Sequence, residues 1–175
     1  MSKDTSSENG ANIKLRQLFI EQLQELYGSE KKLVKVLEKM KESITTQELK
    51  DAYERHCQQT TAHKKRLESV FNSIDEEITK SKSHAMAGIV MEADEIMDEE
   101  DSCSKDVALI LITQKAKHYE IACYGSLSQL AETMGFTEAA ALLAQTLQEV
   151  KQTDALLTLI AESGVNQRAS KEVSR

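Results

Sequence analysis

The chain contains no proline and no tryptophan, only six glycines, and aromatic residues make up 4% of its 175 positions. With proline absent and glycine scarce, little interrupts long helices. The shortage of aromatics argues against a β-sandwich or barrel, whose strands favour aromatic and β-branched side chains. Three cysteines, Cys57, Cys103 and Cys123, are widely spaced and odd in number. They form no C-x-x-C pair, so neither a disulfide framework nor a zinc ribbon is suggested, and a reducing cytoplasm is the expected compartment. No apolar run approaches the ~20 residues needed to span a bilayer, and the polar stretch from Met1 to Asn12 lacks the apolar core of a signal peptide. No basic block stands out from a net charge of −7 scattered in both signs. Neither nucleic acid nor membrane is therefore an expected partner.

What remains is 40% hydrophobic and 29% charged, in a length suited to one domain with a real core. Residues 1–12 and 165–175 read as disordered polar tails, and residues 13–164 as the folded unit. A first helix is expected from Ile13 to Lys41, and a second from a turn at 42–45 to Asn72, with Thr45 and Glu48 spaced as a capping box. A third runs from Ser104 to Thr133, where Met134-Gly135-Phe136 breaks it. A fourth begins at Thr137 and ends near Ser163, with Gly164 placed as its cap. The connection from Ser73 to Cys103 is too long for a simple up-down-up-down bundle and carries a short helix through Met86, Ile89, Val90, Ala93 and Ile96. The expected fold is all-α: an antiparallel four-helix bundle of ferritin-like type, with a long crossover holding a short fifth helix.

Polar residues interrupt the apolar stripes at mid-helix. Steps of three and four give Phe19, Leu23, Leu26, Glu30, Leu33, Leu37 and Met40 on the first helix. The second gives Leu49, Tyr53, His56, Thr60, His63, Leu67 and Val70. The third gives Val107, Ile110, Gln114, Lys117, Ile121, Tyr124 and Ser128, and the fourth Leu142, Thr146, Glu149, Thr153, Leu156 and Ile160. Mid-helix positions of an antiparallel bundle share one level, so Glu30, His56, His63, Lys117 and Glu149 are expected to converge, with Thr60 beside them. A buried carboxylate needs a cation, a metal or donors. The metal pattern of this architecture is a Glu on each of two helices and Glu-x-x-His on each of the other two. No Glu-x-x-His occurs here, since Thr60 precedes His63 and Gln152 follows Glu149. The plainer reading makes Glu149 the edge of an exposed stripe and the histidines hydrogen-bonded core residues.

Four stretches, in order, resemble the YciE/YciF stress-associated ferritin-like family of bacteria. They are Leu18-Phe19 with Glu25-Leu26-Tyr27 and Ser29-Glu30, then Thr60 through His63 to Arg66-Leu67. The third is His118-Tyr119-Glu120-Ile121-Ala122 with Tyr124-Gly125, and the fourth Thr146-Leu147, Glu149, Lys151 and Thr153-Asp154. The resemblance implies a bundle that is commonly dimeric, linked to stress responses, with a carboxylate-rich centre resembling a di-iron or related site. Gln59, Lys117, Gln145 and Val150 stand where that pattern usually places Glu.

Two functions compete. In one, the protein is a structural or interaction homodimer with a degraded metal site and no expected cofactor, where Lys117 forms a buried ion pair with Glu30 or Glu149. In the other, Glu30, His63 and Glu149 hold iron or manganese and the protein handles oxygen, peroxide or iron. Whether it is an enzyme is left open. A second stripe on the third helix, Leu109, Ile112, Ala116, Tyr119, Cys123, Ser126 and Leu130, is expected to be covered by the crossover helix or by a dimer partner.

Overall fold

In the computed structural model the backbone of residues 5–172 and the side chains of residues 13–172 are described. Four long helices make the bundle: α1 (Thr5–Ser43), α2 (Gln47–Ser73), α4 (Cys103–Thr133) and α5 (Thr137–Ile160). The crossover helix α3 (His84–Met97) lies between α2 and α4 in the chain, and a π-helical turn (Ala161–Val165) leads to a last short helix α6 (Asn166–Ala169). Tight turns make α1 antiparallel to α2 and α4 antiparallel to α5. The crossover carries the chain back along the bundle, so α2 and α4 run the same way and sit diagonally. Each packs against α1 and α5, while α3 covers the groove between α1 and α4. The fold is the expected all-α bundle with a long crossover.

Several side chains fasten that crossover. The Gln24 amide pairs both ways with extended backbone, donating to the Glu77 carbonyl at 2.7 Å and accepting from the Thr79 N–H at 2.8 Å. Gly28 lets the connecting segment cross α1 closely, because a Cβ there would lie 2.8 Å from the Ser81 carbonyl oxygen. The Tyr119 hydroxyl bonds to Ser29 at 3.1 Å and to Ser83 at 3.0 Å. Ser83 also caps α3 by accepting from the Met86 N–H.

Helix ends follow the chemistry of their own residues in some places and of distant ones in others. Gly135 takes the left-handed φ of +78° that lets α4 end in a Schellman motif, with Phe136 N–H bonded to the Ala131 carbonyl at 2.9 Å. The expected capping box at Thr45 and Glu48 does not form. Thr46 is the N-cap, and its side chain makes no capping bond. The turn is held instead by Asp106 of α4, which is fully buried and accepts from Thr45 N–H at 2.9 Å, Thr45 Oγ1 at 2.8 Å and Thr46 N–H at 3.1 Å. Gly164 is not a left-handed cap either: its φ of 179° is extended, and the helical path breaks there in a kink, close to the expected end of the fourth helix.

The first twelve residues were expected as a tail; the backbone of 5–12 is helical, and residues 1–4 and 173–175 lie outside the described residues. At the other end Val165 is buried, and the Glu172 carboxylate accepts from the Cys103 and Ser104 N–H groups at the start of α4. An acidic group at that end satisfies free N–H groups and suits the helix dipole.

The core is two apolar lobes. One gathers Leu33, Leu37, Met40, Leu49, Tyr53, Leu109, Ile112 and Leu157 towards the α1–α2 turn, with Met86 and Ala93 of α3. The other gathers Phe19, Leu23, Leu26, Leu67, Phe71, Leu127, Leu143 and Val150 towards the α4–α5 turn. The second stripe of α4 is covered over its first half by α3, where Leu109, Ile112 and Ala116 are buried.

A buried polar layer as candidate functional site

Between the two lobes Glu30 of α1, His56, Thr60 and His63 of α2, and Lys117 and Glu120 of α4 are each no more than 2% exposed. The layer exists because each helix carries polar residues at mid-length on its inward stripe, flanked on both sides by Leu, Tyr or Phe.

Two carboxylates form its centre. Glu30 Oε1 accepts from the Tyr124 hydroxyl at 2.6 Å. Burial pushes the Glu30 carboxyl well above the usual carboxylate range, and neighbouring Glu120 pushes it further against the opposing pull of Lys117 and Tyr124. Burial likewise raises the Tyr124 hydroxyl, with Glu30 adding to it. Glu120 pairs with Lys117 one turn away, its Oε2 2.5 Å from Nζ. The contact is an ion pair without hydrogen-bond angles, and the Glu30 carboxyl lies beside it.

His56 is held neutral by burial and by the positive charge of Lys117, and both its ring nitrogens lack a partner. His63 is pushed down to about 4 by burial and by Lys117, against the pull of Glu149. Its Nε2 lies 3.0 Å from Glu149 Oε2, while Nδ1 is buried and unpartnered.

Lys117 was expected to pair with Glu30 or Glu149. It pairs with Glu120, which lies outside the stripe expected on the third helix. Glu149 lies at the edge of the layer, its side chain 26% exposed, gripped by Arg66 through two bonds of 3.0 Å and by Gln145 at 3.1 Å. Burial works to raise Glu149, but the bonds from Arg66, Gln145 and His63 hold it below its ordinary value. The inward stripe of α5 is Leu143, Thr146, Val150, Thr153 and Leu157, one residue round from the stripe expected through Leu142, Glu149 and Leu156. Gln145 is exposed and Gln59 accepts from Thr153 at 2.9 Å, so both lie on the flank of the bundle. His118 and His84 are exposed.

The donors can be set against a two-metal centre. The helices that would each give one Glu supply them, Glu30 on α1 and Glu120 on α4. The inward i, i+3 pair is Thr60 and His63 on α2, and Val150 and Thr153 on α5, so three of the positions needing Glu or His carry a hydroxyl or a methyl-bearing side chain. Among the described residues one group, Glu30, His63 and Glu120, has ligand atoms within 4.8 Å of one another. Three ligands and an adjacent ammonium do not fit a pair of divalent ions, which needs bridging carboxylates and negative charge.

A family model described as a domain of unknown function, DUF892, matches residues 14–170. The chain belongs to this family. It is 37% identical over 160 residues to Protein YciF of Escherichia coli K12, covering 90% of this chain and 96% of that one. The crystal structure of the E. coli stress protein YciF superposes with a TM-score of 0.84 over 87% of this chain and 98% of that one. A chain called YcfI, a putative structural protein from Rhodopseudomonas palustris, is 30% identical with a TM-score of 0.79, covering 82% of this chain and 92% of that one. A Xanthomonas campestris protein at 20% identity and a TM-score of 0.70 shares the fold. Among the described residues no helix is long and apolar enough to cross a membrane.

Proposed function

We propose that this DUF892 protein is a cytoplasmic, stress-associated structural or interaction protein of bacteria, working as a homodimer, whose central metal site has been replaced by an internal ion pair. The observation that carries this reading is the Lys117 ammonium 2.5 Å from Glu120, both out of water. A fixed cation inside the layer supplies charge that a metal otherwise brings, and it repels a second cation at that range. Thr60, Val150 and Thr153 withhold the ligands that would outweigh this. Its relatives are described as a stress protein and a putative structural protein, which supports the stress-associated and structural parts of this reading.

The reading is tested on protein purified without chelator. Metal analysis should find iron and manganese well below one per chain, and sedimentation at micromolar concentration should give a dimer. Two tightly bound irons per chain, with oxo-bridged absorption after air oxidation, would restore the rival reading in which the protein handles oxygen, peroxide or iron. That rival draws on one feature, the convergence of Glu30, His63 and Glu120.

A further inference from the structure

The polar layer holds more hydrogen-bonding groups than it can pair internally. Glu30 Oε2, both ring nitrogens of His56, Thr60 Oγ1, His63 Nδ1, Lys117 Nζ and both carboxylate oxygens of Glu120 are buried without a hydrogen-bond partner. Eight such atoms at one level are as many as whole domains ordinarily leave, and among the described residues Thr46 Oγ1 alone is left without a partner elsewhere. The set is mixed. Lys117 and Thr60 donate, Glu120 accepts, and the Glu30 carboxyl, raised by burial, and a neutral imidazole such as His56 can do both. An anion would be repelled by Glu120 and a cation by Lys117. A small neutral molecule that donates and accepts equally suits every member.

We propose that the centre of this bundle is a binding site for a cluster of ordered water, bridging His56, Thr60 and Lys117 on one side to Glu30, Glu120 and His63 Nδ1 on the other. A buried water makes about three hydrogen bonds, so eight unpaired atoms call for roughly three molecules. The water carries the hydrogen bonding of Lys117 and Glu120, whose direct contact has the distance of an ion pair without its angles. The inference rests on the metal-free reading, because a metal would claim the same oxygens and nitrogens.

A crystal structure of the full chain, with anomalous data at the iron and manganese edges, is paired with water-¹⁷O relaxation dispersion in solution. The expected result is non-anomalous density within hydrogen-bond distance of His56 and Thr60, and a long-lived water signal that the double variant His56→Leu, Thr60→Val largely loses. Thr60→Ser, which keeps the hydroxyl, should retain the signal. Side chains repacked to bond one another, with no long-lived signal in the wild-type protein, would overturn the water site and leave the metal-free reading standing. An anomalous peak among Glu30, His63 and Glu120 would overturn both.

Discussion

Replacing Lys117 by methionine removes the charge and keeps most of the stem, so the change isolates the ion pair from the packing around it. Lys117 is 0% exposed and Glu120 1%. Once the ammonium is gone, Glu120 faces burial beside Glu30 with no cation near it. Removing one partner of a buried pair costs ~3–5 kcal/mol, much of it the penalty on the group left behind. A chain of this size loses ~2–4 °C of melting temperature per kcal/mol, so the melting point should fall by ~6–20 °C. Urea melts of Lys117→Met and of the exposed control Lys31→Ala should differ by several kcal/mol, the control lying within ~0.5 kcal/mol of wild type. The second variant decides the cause. If the penalty is an unpaired carboxylate, Lys117→Met with Glu120→Leu should recover most of the loss, because well-packed apolar pairs often match buried ion pairs. A neutral Lys117→Met, or a double variant no better than the single, would refute the reasoning.

Three other outcomes follow from the geometry. Gly28→Ala should destabilise by ~1–3 kcal/mol, since its Cβ meets backbone rather than a flexible side-chain end; amide exchange should be fastest around Thr79 and Ser81. Asp106→Ala leaves the Thr45 and Thr46 N–H groups without their acceptor and should cost at least ~1.5–3 kcal/mol in a urea melt. His56 and His63 are held neutral in the folded chain, His63 down to about 4, so between that value and ~6.5 the unfolded chain binds more protons. Stability should therefore rise with pH through that window and be lost as pH falls through it. His63→Gln should flatten the profile, and ring proton shifts of His63 should stay constant from pH 8 to about 5.

The sequence made the level of the polar layer plain and its membership less so. Glu30, His56, Thr60 and His63 were found because α1 and α2 each have one clean apolar stripe, so a polar residue on it stands out. On α4 the apolar residues run nearly all the way round, covered by the bundle on one side and by α3 on the other. There Lys117 and Glu120 share a face, but the stripe through Ile121 leads past Glu120. Its place in the His118–Gly125 stretch of the family resemblance was the available signal. On α5 the steps Thr146 to Glu149 to Thr153 and Thr146 to Val150 to Thr153 are equally regular, and only the neighbouring helix separates them. Val150 packs in the lobe towards the α4–α5 turn while Arg66 of α2 holds Glu149 at the rim. The capping of α2 failed for the same reason, because Asp106, which holds the N-cap Thr46, comes from 60 residues away. Periodicity within a helix fixes which residues can face inward, but the choice between adjacent candidates is made by charge and packing across helices. Here that choice puts the two central carboxylates on α1 and α4, next to a lysine, and puts Val150 and Thr153 on the helix that would have to complete a metal pair.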